Sequence, residues 1–305
     1  MAAKRLPRHF ADAISPSVPR KFPSFPAIPA VARRHTNHGI PARDNHSTTY
    51  TSVNPSEISH FDALASTWWD AHGPSRLLHL MNPPRHAFIR TCLASQPDAS
   101  RGKKLSYLDV GCGGGIFAES AARLGNTERV LGIDASDEVL AVARRHARRD
   151  PGVKGRLEYR KCTVEELAAG QEKINGEEEI ERRFDVVSVF EVVEHVDEPS
   201  LFLDKCAMLV KPGGWLVLST IARTWVSWFT TNLMAEDVLG IVPKGTHTWE
   251  KYINEEELKG YFANRGGWNS PLAQGVVYVP GLGWKEVPGS EKLGNYFFGV
   301  RKDGP

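Results

Sequence analysis

The chain has 305 residues, 24% charged and 41% hydrophobic, with a formal net charge of +2, a length that sustains one catalytic-size domain plus an appendage without covalent staples. Cys92, Cys112, Cys162 and Cys206 are single and widely spaced, which excludes a disulfide framework and a cysteine-rich zinc module and fits a reducing compartment. No apolar run reaches the roughly 18 residues a membrane-spanning helix needs.

Residues 1–50 hold eight Lys/Arg against Asp12 and Asp44, together with seven prolines. Arg-rich, acid-poor composition without the apolar core of a secretory signal predicts a mitochondrial transit peptide. A disordered leader with no address is the alternative. The rest, residues 51–305, is expected to be one catalytic domain; its 30 basic and 34 acidic residues make it mildly acidic, which argues against a nucleic-acid surface. Residues 57–70 place Ile58, Phe61, Leu64, Ala65 and Trp68 at helical spacing. Asn82-Pro83-Pro84 is expected to break the chain as a turn that presents Arg85, with a second helix following to about Leu93. These helices make up an N-terminal segment, 57–95.

From residue 105 strands and helices alternate. Strands are predicted at 105–110, 129–133, 156–160, 184–190 and 214–220, and helices at 116–124, 136–149 and 199–209. Such alternation predicts an α/β fold with a doubly wound, mostly parallel sheet. Residues 171–183 read as a solvated acidic loop. An insertion occupies 221–252, and two further strand-like segments, 275–279 and 295–300, complete a predicted sheet of seven strands.

The stretch Tyr107-Leu108-Asp109-Val110-Gly111-Cys112-Gly113-Gly114-Gly115-Ile116 is the most informative. An apolar strand ends in an acid, and a glycine-dense turn opens a helix. Glycines let the backbone turn sharply and let a ligand approach it closely. In doubly wound sheets, ligands bind at this end of the strands. The G-x-G-x-x-G dinucleotide fingerprint fails, because Ile116 stands at its last glycine. The string instead resembles motif I of the class I S-adenosylmethionine-dependent methyltransferases. Asp134, ending the second strand, is placed to accept the two ribose hydroxyls of such a cofactor, and Asp109 to face its cationic amino-acid end.

After the strand 184–190 comes Glu191-Val192-Val193-Glu194-His195. If these residues are helical, Glu191, Glu194 and His195 share a face and suit a divalent cation such as Mg²⁺. The same residues also suit a helix N-terminus with favourable acids and a locally bonded histidine; spacing alone leaves the two readings open.

Together these motifs resemble the mitochondrial ubiquinone biosynthesis O-methyltransferases. The resemblance runs from about Ile58 to Phe262. It is carried by F-D-A-L-A-S-T-W-W-D (61–70), L-H-L-M-N-P-P-R (78–85), L-D-V-G-C-G-G-G-I-F-A-E-S (108–120), E-V-V-E-H-V-D (191–197), L-V-K-P-G-G-W (209–215) and V-P-K-G-T-H-T-W-E-K (242–251). It implies a cofactor site that includes Arg85, Gly111, Asp134 and Phe190, to which the glycine-loop reading adds Asp109, Cys112 and Gly113. It also implies a magnesium site at Glu191, Glu194 and His195. The implied reaction moves a methyl group from S-adenosylmethionine to a catechol-type hydroxyl of a polyprenylated ubiquinone precursor. The implied precursors are a dihydroxy-polyprenylbenzoate and demethylubiquinol.

The resemblance further implies peripheral placement on the matrix face of the mitochondrial inner membrane and partnership in a multi-subunit quinone-synthesis complex. The insertion 221–252, rich in Trp225, Trp228 and Phe229, is the expected lid and membrane contact. His247 and Lys244 are candidate bases by their place in the K-G-T-H loop. Ala222 stands where the family usually has Asn, and Thr248 where an Asp is common. A methyltransferase for another small phenol and a non-catalytic subunit are the competing functions.

Overall fold

The structure is a computed structural model that describes residues 51–96, 102–172, 183–224 and 252–304. All of these lie in the compact unit Thr49–Pro305. The leader 1–50, Lys244, His247 and the aromatic part of the insertion fall outside them, as does most of the acidic loop.

Eight strands form one sheet. They are β1 (Leu105–Val110), β2 (Thr127–Asp134), β3 (Leu157–Lys161), β4 (Phe184–Phe190), β5 (Val210–Ile221), β6 (Trp268–Val279), β7 (Gly283–Glu286) and β8 (Asn295–Lys302). Their order is β3-β2-β1-β4-β5-β8-β6-β7. The first five run parallel, and β8 then pairs antiparallel with both β5 and β6. The sheet has one strand more than the seven expected. The short β7 hairpins onto β6, and its four residues are too few to show an alternating pattern. Every residue of β1 and β4 is buried, as expected for central parallel strands covered on both faces.

The covering helices are α1 (Pro55–Leu64), α2 (Arg76–Ala94), α3 (Ile116–Ala122), α4 (Asp137–Ala147), α5 (Val164–Glu172), α6 (Pro199–Met208) and α7 (Glu255–Arg265). One core layer joins Leu108, Val189 and Leu218 to Phe202 and Phe262 from α6 and α7. The other joins Tyr107, Val186 and Val217 to Phe88 and Phe117 from α2 and α3.

The expected break at Asn82-Pro83-Pro84 does not occur. Both prolines lie inside the continuous helix α2. Met81, Arg85, Phe88, Ile89 and Cys92 bury one stripe of it, and Asn82 Nδ2 donates to Ser120 Oγ (2.9 Å) and to the Ile116 carbonyl (3.3 Å). Packing and this side-chain tether hold the helix together where local propensity would end it. Arg85 is therefore presented by a helix face rather than by a turn.

The chain builds outward from β1 to β3, then returns to place β4 on the other side of β1. This reversal opens a crevice above the carboxyl ends of β1 and β4, the usual ligand position in such sheets. Gly111 follows the first of those strands and Glu191 the second.

Candidate active site

The crevice is the mouth of a cavity of about 830 Å³ lined by Arg85, Gly111, Cys112, Gly113, Asp134 and Phe190, and also by Glu191, Glu194 and His195. The glycine loop leaves β1 through left-handed conformations, with φ of 69° at Gly111 and 51° at Gly113. A Cβ at Gly113 would lie 2.3 Å from the Trp68 ring, so neither conformation nor space admits a side chain there. Cys112 contributes backbone rather than a reactive thiolate, since burial pushes its thiol well above the ordinary value.

Asp134 ends β2 beside this loop. Its Oδ2 accepts from the Gly113 N–H and its Oδ1 from the Ser136 N–H, each at 2.9 Å. Each oxygen retains a lone pair for a ligand hydroxyl. Burial raises its pKa against the pull of these hydrogen bonds. Asp109 sits one strand over, where Ser188 Oγ donates to Oδ1 at 2.8 Å across the β1–β4 register. Burial lifts its pKa to about 7, so a cationic ligand group would find a carboxylate it can readily ionise.

Arg85 is 4% exposed. Its guanidinium carbon stands 4.8 Å from the centroid of the Phe190 ring, and its Nε has no hydrogen-bond partner. Burial lowers its pKa, while the charges of Glu191, Asp109 and Glu194 act to hold its proton. A buried guanidinium with an open Nε donor is matched to a planar carboxylate. Phe190 is in turn braced edge-on by Phe117, with ring centroids 4.8 Å apart.

The acidic turn departs from the helix that its spacing invites. Glu191 takes a left-handed φ of 56°, and only Val193–His195 forms a short 3-10 turn. A non-glycine residue in this region carries local strain, a pattern that clusters at ligand sites. Ser219 offsets it: Ser219 Oγ donates to Glu191 Oε1 at 2.5 Å, and the Glu191 N–H reaches the Ser219 carbonyl at 3.2 Å. Thr220 Oγ1 donates to Glu194 Oε2 at 3.0 Å. Burial, followed by the charge of Glu191, raises Glu194 to about 7. All three residues still face the cavity, without the shared helical face.

The donor chemistry of Glu191, Glu194 and His195 fits a divalent cation. A second carboxylate and an imidazole beside the buried Glu194 are what such an ion would bind. The side chains are not drawn into a cage, however: among the described residues, no three His, Cys, Asp or Glu stand close enough to hold an ion.

Sequence reasoning missed what covers this site. Trp69 Nε1 donates to the Gly114 carbonyl at 2.8 Å, and Trp68 packs against Gly113 and Gly114. Glu57 Oε2 lies 2.9 Å from His195 Nδ1. The W-W pair was visible as a motif, but its contact with the glycine loop spans 45 residues of chain. Ala222 is a buried member of the core.

Comparison with known proteins accords with this geometry. A family profile described as a methyltransferase domain matches residues 85–267. Mitochondrial ubiquinone biosynthesis O-methyltransferases match over most of the chain. The one from Schizosaccharomyces pombe is 44% identical over 82% of this chain and 87% of its own length. The one from Candida albicans is 39% identical over 83% and 86%, and the Homo sapiens one 38% identical over 86% and 69%. Among solved structures, the magnesium protoporphyrin IX methyltransferase from Synechocystis PCC 6803, with bound SAH, superposes with a TM-score of 0.50, covering 81% of this chain and 100% of that one at 16% identity. It shares the fold. A glycine loop and paired acids at the switch point, in a chain that aligns with these enzymes over 82–86% of its length, identify an S-adenosylmethionine-dependent methyltransferase that belongs to the ubiquinone biosynthesis O-methyltransferase family.

Proposed function

We propose that this enzyme methylates a catechol-type hydroxyl of a polyprenylated ubiquinone precursor, a dihydroxy-polyprenylbenzoate or demethylubiquinol. The observation that carries the reading is the buried Arg85, open at Nε, among Asp109, Glu191 and Glu194 at the switch point. Arg85 would take the cofactor's carboxylate, Asp109 its ammonium and Asp134 its ribose hydroxyls, with Gly111, Cys112 and Gly113 providing close backbone and Phe190 an apolar wall. Fixing both ends of the amino-acid arm aims the sulfonium methyl into the cavity.

The acceptor oxygen attacks that methyl carbon as the carbon–sulfur bond breaks, and the hydroxyl proton leaves to water or to a base such as His247 or Lys244. Glu191, Glu194 and His195 would hold Mg²⁺, which when bound lowers the pKa of a catechol hydroxyl and orients it. Trp68 and Trp69 would keep water from the glycine loop. Initial rates on a catechol and on a monophenol with the same tail test the reading. Turnover of the catechol alone supports it, and equal rates on both would remove the two-oxygen requirement.

The same reading includes an address. Residues 1–50 would direct the chain to mitochondria, as the names of its relatives indicate for them. Because the acceptor is a lipid, the enzyme would work at the matrix face of the inner membrane, in company with other quinone-synthesis enzymes. No helix among the described residues is long and apolar enough to cross a membrane, so the contact would be peripheral, through Trp225, Trp228 and Phe229 of the insertion 221–252. Liposome flotation against a Trp225→Ser, Trp228→Ser, Phe229→Ser variant tests this. Equal flotation would remove the segment from that role. Native electrophoresis of solubilised inner membranes tests the complex: migration at monomer size would contradict it.

A further inference from the structure

The cavity has two unlike ends, and the chemistry described so far uses only one. Helix α2 forms a wall between them. Arg85 marks its charged end, and Leu77 and Leu78 line the other. The eight helical steps from Leu77 to Arg85 correspond to about 12 Å along the axis, more than a single aromatic ring occupies.

At the far end the wall is completed by the β6–β7 hairpin. Tyr278 and Trp284 face one another in its register, with ring centroids 5.5 Å apart. Two hydrogen bonds pin the hairpin to the start of α2: Trp284 Nε1 donates to the Leu77 carbonyl at 3.1 Å, and Arg76 Nη1 donates to the Tyr278 hydroxyl at 2.9 Å. Both aromatic polar tips are thereby satisfied, and both residues line the cavity. Beyond them the apolar lining continues onto the surface. Val277 and Leu293 line the cavity yet are 41% and 50% exposed. Leu282, in the turn of the hairpin, is 67% exposed.

We propose that this apolar end, between the start of α2 and the β6–β7 hairpin, is the binding site for an isoprenoid chain carried by the acceptor. It rests on the reading that the acceptor is a polyprenylated catechol. The occupant follows from shape and polarity. A ligand with a polar ring at one end and a branched hydrocarbon at the other matches a cavity with carboxylates at one end and pinned aromatic and aliphatic side chains at the other. The chain would leave past Val277 and Leu293 and run over Leu282, so that only its first isoprene units are enclosed. Surface exposure of these apolar residues next to an open cavity has a use in that arrangement.

Two measurements on the full chain test the site. In the first, a geranylgeranyl alcohol bearing a benzophenone is photo-crosslinked to the protein, and the adducts are mapped by mass spectrometry. Adducts on 276–295 that unlabelled geranylgeraniol suppresses are expected. Adducts confined to 225–251, or none that compete, would overturn the site whatever the enzyme's acceptor. In the second, Val277→Asp and Leu293→Asp, at positions 41% and 50% exposed and checked for parental melting temperature, are assayed on a geranylgeranylated and a tailless dihydroxybenzoate. KM for the tailed acceptor should rise about tenfold, the scale of losing part of an apolar contact, with kcat and the tailless KM unchanged. Equal effects on both acceptors would contradict the proposal. If neither catechol is methylated by the parent enzyme, the catalytic reading fails, and the crosslinking map still decides the site.

Discussion

Glu57 Oε2 lies 2.9 Å from His195 Nδ1, joining the first turn of α1 to the acidic turn that follows β4 across 138 residues of chain. The same imidazole is capped edge-on by Phe61, with ring centroids 5.2 Å apart. Helix α1 buries none of its residues fully, so its position over the cavity depends on a few such contacts. Glu57→Ala should remove about 1 kcal/mol, as expected for a partly exposed pair. Amide exchange of residues 55–64 should quicken severalfold, while that of β1 and β4 stays unchanged. Uniform quickening across the sheet would mean that α1 is not locally held by this pair.

Asp134 is expected to anchor the cofactor ribose. Asp134→Ala leaves the ribose hydroxyls without an acceptor and frees the Gly113 and Ser136 N–H groups. Cofactor binding should weaken by about 1–3 kcal/mol in calorimetry. Unchanged affinity would sink the assignment.

Asp109 trades stability for binding. Its folded-state pKa of about 7 lies above the ordinary carboxylate value, so its contribution is most favourable below the unfolded value and is lost as pH rises through about 7. The full swing is roughly 4 kcal/mol in the ligand-free protein. Asp109→Asn should therefore flatten the fall in melting temperature between pH 5 and pH 8 and at the same time weaken binding of the cationic cofactor. A variant that melts with the parent's pH dependence would contradict the buried-carboxylate account.

The metal reading predicts separable effects. Glu191→Ala or His195→Ala should cut turnover at least tenfold while changing cofactor affinity little, because the ion acts on the acceptor oxygen. A chelator should do the same to the unaltered enzyme, and added Mg²⁺ should restore it. Full activity after chelation would make the acidic turn structural.

The glycine loop, Asp109 and Asp134 were legible in the sequence because each is fixed by a short local pattern: a strand end, a tight turn, a helix start. Glu191, Glu194 and His195 were found for a reason that fails. The α-helical face does not exist, since Glu191 is left-handed, and the residues meet the cavity because β4 delivers them there. Pro83 and Pro84 misled in the opposite direction, as a local rule was overruled by the packing of α2. The cover formed by Glu57, Trp68 and Trp69, and the aromatic hairpin of Tyr278 and Trp284, depends on contacts between segments far apart in sequence, which no local pattern encodes.

The most direct test supplies the enzyme with S-adenosylmethionine labelled in its methyl group, a geranylgeranylated dihydroxybenzoate and Mg²⁺, and locates the label in the product by NMR. Label on a single ring oxygen, as a methoxy group, is the result expected from a cavity that joins cofactor site, acidic turn and apolar end. An enzyme that binds the cofactor yet leaves this acceptor unlabelled, or that labels a carbon or the carboxyl group, would contradict the account.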